Sequence, residues 1–324
     1  MKDEEIYSLR LQELLDLGAG SQYFNHLSNN AIALCSDLAI DDEQQILSHL
    51  NQLWLPTALN LATAKNQLDR TLIQGILGSQ GTGKTTLCQI IKLILSYLGF
   101  TVATLSIDDL YLTYEERQVL QQQGPRLVWR GPPGTHDVDL GLEIIEQCLL
   151  NTATEILLPR FDKSAFDGAG DRTKPEVIDK PDILLFEGWF VGVQPIAEEC
   201  FANPPAPIVT SEDIQFAKDN NQRLKAYLPL WNKLDSLIVL YPEDYRLSKQ
   251  WRKEAEHKMI ATGKPGMSDK EIDRFVEYFW QALHPELFIK PLTETADLVI
   301  EINSDRSLGK IIPNRKKNAT DEVK

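Results

Sequence analysis

From residue 71 onward, short apolar runs alternate with longer stretches whose apolar residues recur at helical spacing. The runs are Leu72 to Leu77, Val102 to Ile107, Ile156 to Leu158, Ile183 to Phe186, Leu237 to Leu240 and Leu298 to Ile302. Runs this short, bounded by turn residues, suit strands buried on both faces. The helical patterns between them suit crossovers in a parallel sheet. The expected fold class is therefore α/β, a doubly wound and mostly parallel sheet with helices on both faces. Residues 1–70 contain no such run. There Ile46, Leu50 and Leu53 recur at helical spacing, Leu47 and Trp54 widen the stripe, and Pro56 is expected to interrupt it. The expected division is a helical extension over 1–70, one α/β domain over 71–312 and a polar tail over 313–324.

Composition narrows the function classes. The chain has 324 residues, 43% of them apolar and 25% charged, which excludes wholesale disorder. Thirty-three Lys and Arg against 47 Asp and Glu leave a net charge of −14. Nucleic acid and anionic membrane repel such a surface at long range, so neither is an expected partner. An anionic small molecule remains possible, provided a local basic pocket attracts it. The four cysteines, Cys35, Cys88, Cys148 and Cys200, form no C-x-x-C pair and indicate neither zinc nor a disulfide framework. The acidic start MKDEEIYSLR lacks the pattern of a signal or transit peptide, and the cytoplasm is the expected location.

Gly78 to Thr85 reads GSQGTGKT and fits G-x-x-x-x-G-K-S/T. The chemistry needs a strand, a loop free of bulky side chains and a helix. Leu72 to Leu77 supplies the strand, and a helix is expected from Lys84 to a stop at Gly99. Gly78, Gly81 and Gly83 let the backbone N–H groups of Gly78, Ser79, Gln80, Gly81, Thr82, Gly83, Lys84, Thr85 and Thr86 wrap a nucleoside triphosphate such as ATP. Lys84 is expected to reach the β- and γ-phosphates, and the Thr85 hydroxyl to ligate Mg²⁺. This makes the fold class a P-loop NTPase. The motif is silent about what receives the phosphoryl group.

Two acidic positions follow other strands. Val102 to Ile107 leads into Asp108-Asp109-Leu110-Tyr111. Ligands of doubly wound sheets bind at the carboxyl ends of strands, so a carboxylate here can orient or deprotonate an attacking hydroxyl. Asp at a strand-to-helix junction also suits a cap. The expectation is Asp108 reactive and Asp109 structural. DILLFEG, from Asp182 to Gly188, reads as an apolar strand ending in Glu187, which would help to hold Mg²⁺.

Four segments read together resemble one family: GSQGTGKTT, SIDDLYLTYEER, RGPPGTHD and LPRFDKSAFDGAGDR. The first two fit the whole group of phosphoribulokinases, uridine kinases and pantothenate kinases. The last two resemble D-glycerate 3-kinase of plants, cyanobacteria and fungi. The resemblance covers about Thr71 to Asn303 and continues through LFEGWFVG and GMSDKEIDRFVEYFW. It implies ATP-dependent phosphorylation of D-glycerate to 3-phosphoglycerate, a five-stranded parallel core and a helical lid. Oligomeric state is left open. Other acceptors (pantothenate, uridine or a sugar) and an ATP-binding regulatory protein without transfer are the alternatives.

Glycerate carries a carboxylate and two hydroxyls, so an acceptor pocket needs cationic donors. Arg130 to Asp137 reads as a rigid loop leading into a helix that Thr135 or Asp137 can cap. Arg130 and His136 are then free to face the pocket, though His136 equally suits a satisfied loop histidine. The stretch Pro159 to Arg172 reads as a loop concentrating Arg160, Lys163 and Arg172. Given the resemblance, these cations, with Tyr111 and Asp108, form the expected substrate site. Pro242 to Gly263 reads as a lid helix with Arg246, Lys249 and Lys253 on one stripe and Arg252 beside it. The lid runs to about residue 268, with Gly263-Lys264-Pro265-Gly266 as its hinge. In this kinase group a lid brings an arginine over the transferring phosphoryl, which makes Arg252 a catalytic candidate with Asp108 and Lys84. Phe275, Tyr278, Phe279 and Trp280 read as core. Ser268 to Glu271 reads as a capping box.

Overall fold

The computed structural model describes residues 22–314 except 39, 125, 151, 153, 264 and 265. The start of the expected extension, most of the expected polar tail and the middle of the expected lid hinge lie outside the described residues. Helices α1 (Gln22–Asp37), α2 (Glu43–His49) and α3 (Leu55–Asn66) come first, then strand β1 (Leu72–Gly78) and α4 (Lys84–Tyr97). Strand β2 (Val102–Ser106), α5 (Tyr114–Gln123), α6 (Val138–Leu149), β3 (Glu155–Asp162), β4 (Asp171–Asp179) and β5 (Ile183–Gly188) follow. The chain closes with α7 (Ser211–Arg223), β6 (Ser236–Pro242), α8 (Leu247–Ala261), α9 (Asp269–Ala282), β7 (Leu298–Ile302) and β8 (Leu308–Pro313).

The main sheet has the order β2-β5-β1-β6-β7-β8. The first five strands are mutually parallel, and β8 joins antiparallel at the edge. Alternate residues feed two separate cores, as the two-residue period of a strand requires. Ile73, Leu77, Leu184, Phe186 and Val239 enter one core, with α6 and the segment around Tyr227. Leu72, Ile76, Ile183, Leu185, Ile238 and Leu240 enter the other, with α4 and the N-terminal helices. Leu27, Ile46, Leu50 and Trp54 pack in that second core, so α1 to α3 form a layer over α4. Among the described residues no helix is long and apolar enough to cross a membrane.

Three local expectations need correction. Ile156 to Leu158 does not enter the main sheet. It belongs to β3, which pairs antiparallel with β4 in a separate two-stranded ribbon. The reason lies in its burial. Ile156 and Leu158 are fully buried, whereas Leu157 and its cross-strand partner Val177 are 57% and 56% exposed. Such one-sided burial suits an antiparallel ribbon better than an inner parallel strand. For the same reason Arg160 and Arg172 stand on strands rather than in a loop. Pro56 does not end the N-terminal helix. A wide turn over Leu50–Trp54 carries α2 into α3, and Pro56 falls in the first turn of α3, where its missing N–H is not needed.

Candidate active site

The carboxyl ends of β1, β2, β5 and β6 meet at one edge of the sheet. Glu187 lies opposite Ser106 on one side and Ile76 on the other, and Gly78 lies opposite Leu240. This register places Glu187 one strand from the phosphate-binding motif and one strand from Asp108.

The loop after β1 is built as an anion cradle. Gly81 and Gly83 take φ of +83° and +85°, a region L side chains avoid. The Thr82 hydroxyl donates to the Ser79 carbonyl at 2.8 Å, and Lys84 Nζ reaches the same carbonyl at 3.4 Å, closing the loop on itself. Gly83 sits at the N-terminus of α4 with no side-chain cap, so the first amides of a 14-residue helix stay available to an anion. A Cβ on Gly83 would meet nothing within 4 Å, so that side is open. The opposite side is closed, because a Cβ on Gly81 would lie 2.6 Å from Trp251 Cβ. Ser79 Oγ and Gln80 Oε1 are buried without hydrogen-bond partners.

The two aspartates have different partners. Asp109 Oδ2 accepts the Ser106 amide at 3.0 Å in a capping box, and Arg160 pairs with it at 3.0 Å. Burial raises its pKa above the ordinary value. Asp108 caps nothing. The Tyr111 hydroxyl donates to its Oδ1 at 2.8 Å, and Lys163 Nζ contacts its Oδ2 at 2.5 Å. Burial pushes the Asp108 pKa up, but the charge and hydrogen bond of Lys163 and the Tyr111 hydroxyl outweigh it, and the net shift is downward. Glu187 is raised by burial against the opposing charge of Lys84. The four groups Lys84, Asp108, Lys163 and Glu187 thus act on one another across this edge.

The other expected cations are committed elsewhere. Arg160 bonds Asp109, Glu176 and the Thr104 carbonyl. Arg172 donates to the Tyr111 carbonyl at 2.9 Å and to Asp137 at 2.8 Å, while Asp137 also caps α6 through the Leu140 amide. Arg130 spans the Gly168 and Ala169 carbonyls and lies 5.9 Å from the Tyr111 ring centroid. These three arginines tie the β3–β4 ribbon to the site rather than facing open space. Lys249 and Lys253 of α8 pair with Glu277 and Asp273 of α9, and Arg246, just before α8, pairs with Asp244. Arg252 pairs with Glu256 at 2.7 Å and lies over Phe275 at 5.8 Å, with its Nε buried and unpartnered. The expected capping box at Ser268 is present.

No family model matches the chain. Over 257 residues it is 34% identical to the chloroplastic D-glycerate 3-kinase of Arabidopsis thaliana, a match covering 75% of this chain and 54% of that protein, so it spans about half of that relative's length. It is 32% identical over 251 residues to a probable ATP-dependent kinase of Saccharomyces cerevisiae, covering 71% of this chain and 84% of that one. The solved D-glycerate 3-kinase from Cryptococcus neoformans superposes with a TM-score of 0.72 at 27% identity, covering 81% of this chain and 99% of that one.

The chain belongs to the family of P-loop kinases that contains D-glycerate 3-kinase.

Two residues of this P-loop kinase escaped sequence reasoning. Trp251 is 1% exposed and backs the phosphate-binding loop at Gly81. Its position on a mostly polar helix was the available signal, since a lone Trp among charges marks a buried contact. Tyr227, fully buried, bonds His136 and the Gly134 amide. Nothing local to Leu224–Tyr227 announces this, because both partners lie on a loop about 90 positions earlier.

Proposed function

We propose that this chain is an ATP-dependent kinase that phosphorylates D-glycerate on its 3-hydroxyl, giving 3-phosphoglycerate. The observation that carries the reading is Asp108. It is an ionised, uncapped carboxylate held by Tyr111 and Lys163 at the end of β2, beside Glu187 and Lys84. The backbone from Gly78 to Thr86 cradles the triphosphate, and Lys84 neutralises it. The open α4 N-terminus and the buried, unpartnered Ser79 hydroxyl, which has a proton to donate, fit that anion. Among the described residues no cluster of three His, Cys, Asp or Glu could hold a metal by itself, and Mg²⁺ on phosphates needs only one or two protein oxygens. Thr85 and Glu187 would supply those oxygens, and Mg²⁺ held there would supply positive charge to the transferring phosphoryl group.

Asp108 orients the acceptor hydroxyl and takes its proton. A carboxylate of depressed basicity is enough, because a loose phosphoryl-transfer transition state demands little proton removal before attack. Lys163, 61% exposed at its side chain, is the cation left to meet the acceptor carboxylate, with Tyr111 beside it. Arg130, Arg160 and Arg172 act by fixing the ribbon that carries Lys163. Arg252 serves as the lid cation once its pair with Glu256 opens. A pocket lined by Trp189, Tyr245, Val276, Phe279 and Trp280 opens beside Ser79 and Gln80. It favours a second reading, an acceptor with an apolar portion. A screen of D-glycerate, pantothenate, uridine and sugars with ADP release as readout decides between them. D-glycerate is expected to give the highest kcat/KM. Another acceptor ahead of it would replace the substrate and leave the kinase standing.

Lys163→Ala separates the electrostatic roles. Wild-type Asp108 titrates below the ordinary aspartate value because Lys163 and Tyr111 outweigh burial. Without Lys163 the burial effect gains, so the Asp108 pKa rises. The acid limb of the kcat/KM profile then moves to higher pH. Acceptor KM rises about tenfold as one charge-assisted hydrogen bond is lost. Parallel pH profiles of the two proteins check this, and an unmoved acid limb counts against Asp108 as the titrating group.

A further inference from the structure

His136 is 5% exposed, close enough to Asp108 for their charges to interact, and its ring stacks on Tyr111 at 4.6 Å between centroids. The backbones of Tyr111 and His136 form an isolated antiparallel bridge, which fixes the two rings together. His136 Nδ1 lies 2.8 Å from the Tyr227 hydroxyl. That hydroxyl oxygen accepts the Gly134 amide at 2.8 Å, and the His136 amide also bears on it. With its oxygen occupied as an acceptor, the phenol has one proton to donate, and Nδ1 receives it. The reverse arrangement, Nδ1–H donating to the phenol, leaves a buried phenolic proton without an acceptor, which is costly. The ring proton therefore belongs on Nε2. Nε2 is buried and has no partner. Burial also pushes the His136 pKa down to about 3, against the pull of Asp108, so the ring is neutral.

We propose that His136 is a neutral hydrogen-bond donor, locked in its Nε2–H tautomer by the Gly134–Tyr227 relay, and that it holds an oxygen of the acceptor beside Asp108. The acceptor class is a small hydroxy acid, whose carboxylate or hydroxyl oxygen accepts from Nε2–H. The assignment rests on the kinase reading for its substrate and on the hydrogen-bond network alone for its tautomer. Tyr227 is a positioning residue, since it acts through His136. A fixed, uncharged donor adds selectivity, because an acceptor that presents a donor at that point would meet N–H against N–H.

The test has a spectroscopic arm and a kinetic arm. In the ¹⁵N-labelled full chain near neutral pH, the His136 ring should show a protonated Nε2 and an unprotonated Nδ1. D-glycerate added with a non-hydrolysable ATP analogue should shift the Nε2 signal more than Nδ1. Tyr227→Phe keeps the ring volume but should mix the tautomers and raise acceptor KM about tenfold, the factor that goes with about 1.4 kcal/mol, while ATP KM stays unchanged. His136→Leu should do the same without recovery, and His136→Gln, which places an N–H near the Nε2 position, should restore much of the lost affinity. A protonated Nδ1 in the wild type, an Nε2 signal indifferent to D-glycerate, or an unchanged acceptor KM in His136→Leu would overturn the proposal while leaving phosphoryl transfer intact. Absence of turnover with every acceptor would remove the kinase reading, and the wild-type spectra would still decide the tautomer and the contact. They also decide if Tyr227→Phe fails to fold.

Discussion

Asp108→Asn lowers kcat by about 10²- to 10⁴-fold and leaves ATP affinity within about twofold. The size follows from what the carboxylate does. It faces no helix amide, and its two oxygens are held by Tyr111 at 2.8 Å and Lys163 at 2.5 Å. Asn preserves the shape and one acceptor oxygen but cannot take a proton. Nucleotide binding is spared because the triphosphate cradle, from Gly78 to Thr86, lies on a different strand end. Steady-state turnover together with calorimetric ATP binding checks both halves. The neighbouring Asp109→Asn is the control: Asp109 accepts the Ser106 amide and pairs with Arg160, so its loss should appear in stability rather than in kcat. A protein that binds ATP without transferring phosphate would show no loss in Asp108→Asn, so this pair also separates an enzyme from a regulatory ATP binder.

Trp251→Ala costs about 3–5 kcal/mol of stability and weakens ATP binding as well. The indole is 1% exposed and lies in the core formed by α4, the sheet and the N-terminal helices. Its Nε1 donates to the Ser304 carbonyl at 3.2 Å, and Arg306 lies over its ring at 5.5 Å. Gly81 rests directly against it, so the cavity left by Ala opens beneath the phosphate-binding loop. Trp251→Phe should recover most of the packing and lose the Nε1 hydrogen bond, a smaller cost of about 1 kcal/mol. Denaturant unfolding measures the first effect, and calorimetry the second. A loss below about 1 kcal/mol in Trp251→Ala, with ATP affinity intact, would show that α8 does not support the loop.

The difference between Asp108 and Trp251 shows what was readable in advance. The phosphate-binding loop was legible because its spacing reflects backbone requirements: Gly81 and Gly83 stand at positive φ, where another residue is strained. Asp108, Asp109 and Glu187 were legible because an apolar run ending in an acid marks a strand end, and strand ends gather at one edge of a parallel sheet. The five parallel strands were readable from unbroken apolar runs. The β3–β4 ribbon was not, because Leu157 and Val177 are apolar yet exposed. Local spacing also could not assign partners. Arg160, Arg172 and Arg130 were expected to face the acceptor, but Glu176, Asp137 and two carbonyls of the ribbon tip take their donors. Tyr227 was invisible for the same reason, since its role exists only across the fold. The charge of −14 belongs to this picture too. The global field repels anions, so the proposed function requires local attraction, through loop amides, Lys84 and Lys163.

The central claim is transfer of the γ-phosphoryl of ATP to the 3-hydroxyl of D-glycerate. Its most direct measurement is to incubate the purified full chain with ATP, Mg²⁺ and D-glycerate and to identify the products by ³¹P NMR. The expected result is 3-phosphoglycerate in equal amount to ADP. ADP without any phosphorylated glycerate, or the 2-phosphate isomer in its place, would contradict it.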